Sequence, residues 1–489
     1  MSAIPILRLG AVKDVEHFKD HLRALGLNVP CDRELITGAE CPLQWPLHRS
    51  GFKFHNRIAV QPMEGWDAQL DGNPSELTLR RWTRFGSSGA SLIWGGEAVA
   101  VSHQGRANPN QLVIAPHTYA GLAELRATLL RSYQQTTGRD EPPLIGLQLT
   151  HSGRYCRPNQ HDCPEPKILY HHPILDGRLG LPADFPLVTD DEISRIIEEF
   201  HRAAAAAWNL GFDFVDVKHC HGYLGHEFLS AHKREGQYGG PFENRTRFLR
   251  DVVQGIRALA PGLQIAVRVS AFDSVPYRPD PAKSSPGKMG PGIPEAHGHL
   301  IPYRWGFGVN ESWPTDMDLT EPRKFLALLE ELGIRLVNLT AGSPYYNPHI
   351  QRPAFYPPSD GYQPPEDPLI GVARQMEMTR ELKAQFPGLI IVGTAYSYLQ
   401  DFLPHVAQAA VREGWTDFVG MGRMILAYPG LLIDAAEGRP LQHRLVCRTF
   451  SDCTTAPRKG LPSGCYPLDE HYKHSEFAAK LKSAKEKRA

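Results

Sequence analysis

The feature that most constrains this chain is one pattern repeated eight times. A short, continuous apolar run is followed each time by a longer segment with apolar residues at three- and four-residue spacing. The runs are NRIAVQPM (56–63), SLIWGGEAVA (91–100), LIGLQL (144–149), FDFVDVKH (212–219), LQIAVRVSA (263–271), RLVNLTAG (335–342), LIIVGTA (389–395) and FVGMGR (418–423). Being continuous rather than alternating, they read as strands buried on both faces. Segments between them, such as SELTLRRWTRF and DDEISRIIEEFHRAAAAAWNLG, read as amphipathic helices. Asp190 is the expected N-cap of the third helix and Gly333 the expected stop of the fifth, while Pro404 interrupts the seventh. Strand-helix alternation implies parallel strands, and eight units favour a closed (β/α)8 TIM barrel over an open sheet.

The barrel is expected over residues 45–440, after an N-terminal extension (1–44). A tail (441–489) contains cysteines and ends in KLKSAKEKRA, read as a basic helix. Residues 274–318, rich in Pro and Gly and without a clear period, form an inserted loop after strand five, placed to act as a lid. Basic and acidic residues balance at 53 each. No basic patch argues for nucleic acid, and no apolar stretch approaches the ~18 residues of a membrane span. The N-terminus lacks the basic start and apolar run of a signal peptide. The eight cysteines include no CxxC pair. They read as reduced thiols, which suggests a cytoplasmic protein.

Barrel active sites stand at the C-terminal ends of the strands. One such end carries Lys218, His219, Cys220, His221 and Tyr223 within FDFVDVKHCHGYLGHEF. A metal site, a catalytic site and a polar loop all fit that composition. His219 and His221 could converge on a metal only along extended backbone, and Gly222 argues for a turn, so no metal is expected. Other strand ends bring Glu64 and Trp66, Glu97, the segment QLTHSGR, and Arg268. Strand seven ends at Gly393 and strand eight at Gly422-Arg423. Glycines there let backbone N–H groups approach a phosphate, and a guanidinium suits the same anion. A phosphorylated ligand or cofactor is the expectation.

At these residues the chain resembles the Old Yellow Enzyme family of FMN-dependent NADH:flavin oxidoreductases, related to the barrel part of 2,4-dienoyl-CoA reductase and to trimethylamine dehydrogenase. The motifs are NRIAVQPM, EAVAVSHQGRANPNQL, GLQLTHSGR, GFDFVDVKHCHGYLGHEFLS with YGGPFENRTRFLRDVV, AVRVSAFD and FVGMGRMILAYPGL. The resemblance implies non-covalent FMN, because no cysteine follows Met63 where one could bond the flavin. Pro62, Met63 and Ala98 would line the flavin, with Glu64 near N5 and O4. Gln148 would bond the pyrimidine edge, and Arg268 would lie near N1 and O2. Gly393, Gly422 and Arg423 would hold the phosphate, and Gly342 falls with the same cofactor set. Lys218 and His221 match the pair that grips the substrate, and Tyr223 matches the proton donor. Trp66, Tyr345 and Tyr346 are the expected substrate contacts. The implied reaction is NAD(P)H-dependent reduction of an activated C=C bond.

Two departures bear on that reading. The gripping pair usually begins with His, and here it begins with Lys218. Glu64 stands where the family usually has Thr or Cys, and a carboxylate there disfavours reduced, anionic flavin unless Lys218 neutralises it. The bland alternative makes Lys218 a structural ion-pair partner of Asp216 or Glu64. An anionic aromatic cage of Glu64, Trp66, Tyr345 and Tyr346 would suit an amine dehydrogenase or demethylase, and a non-catalytic flavin-binding protein is a third possibility. The tail holds Cys447, Cys453 and Cys465 where the dienoyl-CoA reductase branch places four cysteines. A [4Fe–4S] cluster is therefore not expected. Partners reduce to a small-molecule substrate, with a homo-oligomer left open.

Overall fold

The computed structural model describes residues 6–359 and 361–486. Eight parallel strand positions close into a barrel. They are β1 (Ile58–Val60), β2 (Leu92–Ile93, resuming at Ala98–Ala100), β3 (Leu144–Thr150), β4 (Phe214–Val217) and β5 (Gln264–Phe272). β6 (Leu336–Ala341), β7 (Ile390–Gly393) and β8 (Phe418–Met421) complete the ring. Closure comes from β8 pairing with β1, Gly420 opposite Ala59, while Leu92 of β2 lies between Ala59 and Leu144. Apart from Leu144 and Gln264 at the starts of β3 and β5, the strand residues are buried, as their continuous apolar character requires.

β2 breaks where Gly95 and Gly96 both take positive φ. A Cβ on Gly95 would fall 2.7 Å from the backbone nitrogen of Gln148, so only glycine lets the chain bulge there against β3. The bulge carries the second half of β2 to the barrel mouth, with Ala98 opposite Gln148. At the other end Trp94 and Phe214 pack edge-on, Phe54 packs against Phe418, and a hairpin of Leu47–Arg49 and Phe52–Phe54 plugs the floor.

The outer helices include α1 (Glu76–Gly86), α2 (Tyr119–Thr137), α3 (Asp190–Asn209), α4 (Arg247–Leu259), α5 (Thr320–Glu331), α6 (Pro368–Gln385) and α7 (Leu403–Arg412). Two details correct the sequence reading. The cap of α3 is Thr189, not Asp190: its hydroxyl accepts from the Glu192 N–H while the Glu192 carboxylate accepts from the Thr189 N–H. Pro404 starts α7 rather than breaking it, since its missing N–H falls in the first turn, where no intrahelical partner exists.

Residues 274–318 are structured. Tyr277–Pro279 pairs antiparallel with Gly292–Pro294, and Val275, Tyr303 and Val309 bury a small core of their own. The tail folds back over the barrel mouth. Arg80 of α1 makes two 2.8 Å bonds to Asp469, and Ala456, Tyr466, Tyr472 and Leu481 form a satellite core. The terminal helix is Glu476–Glu486, and residues 487–489 of KLKSAKEKRA lie outside the described residues. Among the described residues no helix is long and apolar enough to cross a membrane.

Candidate active site

The strand ends surround a cavity of about 240 Å3. Its reacting side is built around Glu64. The Glu64 carboxylate accepts from the Trp66 indole at 3.0 Å and from the Tyr223 hydroxyl at 2.9 Å, and the Lys218 ammonium lies 3.4 Å away. Lys218 Nζ also sits 3.8 Å from the centre of the Tyr223 ring. The Tyr223 and Tyr345 hydroxyls are 2.8 Å apart. Lys218 is thus paired with Glu64. Asp216 has other partners: it accepts from Trp94 Nε1, Gln148 Nε2 and the Arg268 N–H. Burial, then Glu64, pushes the Tyr223 phenol well above its usual range, so the proton stays on it.

His221 lines the same cavity from a left-handed backbone, φ 65°. Its N–H donates to Ser270 Oγ and its carbonyl accepts from Ser343 Oγ, which hold the turn. Gly222 follows at φ 78°, where a Cβ would meet Ser343, Tyr346 and Tyr155 at 3.0–3.2 Å. Trp66 and Ala395 also line the cavity with positive φ. Three non-glycine residues in this region store of order 1–3 kcal/mol each, strain that clusters where geometry serves function. Burial, then Arg268 and Lys218, holds the His221 imidazole well below its ordinary range, so it is neutral. His219 faces outward between Phe248 and Phe325, and Cys220 is buried. No group of three or more His, Cys, Asp or Glu among the described residues is placed to hold a metal ion.

Another part of the wall is cationic. Arg352, Arg423 and Arg458 line it, with Thr394, Ala395, Ser397 and Gly422. Arg423 Nη2 donates to the Pro353 carbonyl at 3.0 Å, while its Nη1 is buried with no partner among the described residues. Arg268 Nε is likewise buried and unpaired there. Burial, then the neighbouring Arg423, pulls the Arg352 guanidinium down to about 9. Buried cations and unsatisfied N–H groups are costly unless an anion or acceptor arrives. They fit an anionic group; Met63 and Ala98 supply apolar surface beside them, and Gln148, its amide nitrogen held by Asp216, lines the same cavity.

Pro62, Met63, Glu64, Trp66, Ala98, Gln148, Lys218, His221, Tyr223, Arg268, Tyr345, Gly422 and Arg423 all reach this one cavity. Gly342, Gly393 and Tyr346 do not. The Gly393 N–H donates to Thr416 Oγ1 and its carbonyl accepts from Gln61, so both bonds are used inside the barrel, and Thr394 and Ala395 face the cavity instead. Gly342 turns the chain after β6 at φ 55°, with its N–H donated to the Phe272 carbonyl. Tyr346 donates to Asp273 at 2.5 Å and lines a separate outer chamber. Sequence reasoning passed over Arg352, Ser397 and Arg458. Arg352 follows β6 and Arg458 comes from the tail, positions without a motif. Cys447, Cys453 and Cys465 gather round a pocket of about 20 Å3 beside Arg423 as free thiols. Burial raises the Cys447 and Cys465 thiols.

Fold and cavity define a (β/α)8 barrel whose mouth carries a cavity lined by buried arginines and by the Glu64–Lys218–Tyr223 cluster. Residues 43–283 match the model of the NADH:flavin oxidoreductase / NADH oxidase family. An NADPH dehydrogenase of Clostridium acetobutylicum is 31% identical over 221 residues, 45% of this chain and 60% of that protein. An NADH oxidase of Thermoanaerobacter brockii is 26% identical over 389 residues, 78% of this chain and 49% of its own length. The chain thus spans less than two thirds of either relative. Among solved structures, a 2-naphthoyl-CoA reductase superposes with TM-score 0.63 at 18% identity, over 88% of this chain and 57% of that one, a likeness of fold.

Proposed function

We propose that the chain is an FMN-dependent NAD(P)H oxidoreductase that reduces an activated C=C bond. The observation that carries this reading is the pairing in one cavity of buried, unpaired N–H groups on Arg268 and Arg423 with the Glu64–Lys218–Tyr223 cluster. Arg423, with the backbone of Gly422 and Ala395, would hold the phosphate. Gln148 and Arg268 would hold the pyrimidine edge of the ring, and Met63 and Ala98 its faces. Bound FMN would supply hydride transfer, accepting from a nicotinamide donor and passing to the alkene.

The chain's own residues do the rest. Lys218 keeps Glu64 compensated, so the carboxylate does not oppose negative charge building on the ring. It also retains donors for a substrate carbonyl, as does neutral His221, and both stabilise a developing enolate. Tyr223, which keeps its proton, is the acid that protonates the α-carbon. Tyr345, bonded to it, fixes the hydroxyl. The cationic alkylamine of an amine dehydrogenase would need an uncompensated Glu64, and Lys218 already occupies that role. An anaerobic titration of the purified yellow protein tests the reading. Bleaching by NADH or NADPH and recovery of colour on adding cyclohex-2-enone are expected. Bleaching only by trimethylamine would overturn it.

A further inference from the structure

Beyond the inner cavity lies a second chamber of about 370 Å3. The two share Trp66, Pro344, Tyr345 and Arg458 in their walls, so the outer chamber abuts the reacting side. Its composition is one-sided. Arg157, Arg178, Arg278 and Arg458 line it, and among the described residues no Asp or Glu does. Two of these arginines share one carboxylate, Glu295: Arg178 lies 2.6 Å from it and Arg278 3.0 Å. Arg157 donates to the His161 carbonyl at 3.2 Å and forms no ion pair with a described residue. Aromatic rings supply much of the remaining surface, with Tyr155 stacked on Tyr345 at 3.7 Å.

The parts come from segments that a bare barrel does not need. Tyr277 and Arg278 belong to the hairpin of the insertion after β5, and Arg458 to the tail. Both were expected as appendages, a lid and a cysteine-bearing end. Instead each places a cation and closes a wall around one space. Guanidinium groups with flat rings between them favour an extended anion.

We propose that this chamber is an anion subsite, which binds a phosphate or carboxylate group on a molecule whose reacting end enters the inner cavity. This rests on the flavin reading for the reacting end alone. The anion has two possible sources, the phosphates of the nicotinamide donor or an anionic group on the alkene substrate. Stopped-flow measurement of the flavin-loaded protein separates them. The reductive half-reaction is run with NADPH and NADH, and the oxidative one with cinnamaldehyde and 4-carboxycinnamaldehyde. Inorganic pyrophosphate binding to the same holoprotein is read by calorimetry. Arg157→Gln and Arg278→Gln should each weaken pyrophosphate binding about tenfold, the effect of losing one charged donor, and Arg157→Lys should restore most of it. A tenfold drop in the NADPH-to-NADH preference assigns the anion to the donor. The same drop in the ratio of charged to neutral aldehyde assigns it to the substrate. If pyrophosphate binds equally to all variants or not at all, and both ratios stay unchanged, the proposal is overturned. A protein without flavin would instead defeat the flavin reading, while Arg157-dependent pyrophosphate binding would leave the chamber standing.

Discussion

The two sides of the inner cavity solve opposite electrostatic problems. Around Glu64 every charge has a partner: carboxylate, ammonium, indole and phenol satisfy one another within 3.4 Å. Around Arg423 three guanidiniums converge, and one buried nitrogen of Arg423 has nothing to donate to among the described residues. A site balanced in one part and holding an unsatisfied buried donor in another is expected to bind through the second and react at the first. Pre-arranged donors cost no reorganisation when charge develops. Unsatisfied buried donors gain most from the ligand that completes them.

Changes at the balanced side should alter rates and spare flavin binding. The largest effect is expected for Tyr223→Phe. It removes the acid, and alkene reduction should slow by about 10²–10⁴-fold with substrate binding nearly intact. Stopped-flow recovery of flavin colour measures it. Lys218→Met should slow the oxidative half-reaction by about ten- to a hundred-fold, the worth of a charged hydrogen bond. Reduction by the nicotinamide should suffer less. If turnover is unchanged and only the melting temperature falls, Lys218 is a structural ion pair.

Acid should act on the scaffold. Burial lowers His151 and His219 to about 4 each, below their ordinary value. Unfolded histidines therefore take up protons first. The stability these two provide is present above about pH 6.5 and is lost as pH falls toward 4. Each contributes at most ~3 kcal/mol across that window. Melting temperatures measured from pH 7 to 4 should fall, and His219→Phe should flatten part of the slope. The smallest expected signal is in the tail. Anaerobically purified protein should carry no iron or acid-labile sulfide, since Cys447, Cys453 and Cys465 are three where a [4Fe–4S] cluster takes four thiolates. Finding about four irons per chain would contradict this.

The barrel was readable because a strand buried on both faces must be continuously apolar, and eight such runs leave few architectures. Lys218, His221 and Tyr223 were readable because they follow the end of a strand, and Arg268 because it is a charged residue within an apolar one. What was not readable depended on packing. Gly393 looks free in sequence, yet Gln61 and Thr416, distant along the chain, use both its hydrogen-bonding groups. Arg352 and Arg458 sit in segments without periodicity, so nothing local shows that they meet Arg423. The insertion reads as structureless because its hairpin strands are three residues each, too short to display a period.

The central claim is that the cationic side holds the phosphate of FMN and the Glu64 side does not hold the cofactor. Flavin released by denaturation, measured on the parent protein, Arg423→Met and Lys218→Met, tests it most directly. The parent should release a soluble yellow chromophore bearing one phosphate, stoichiometric with the chain. Arg423→Met should bind it about ten- to a hundred-fold more weakly, and Lys218→Met should retain it. A colourless parent, flavin that stays with the precipitate, or equal loss from both variants would contradict the account.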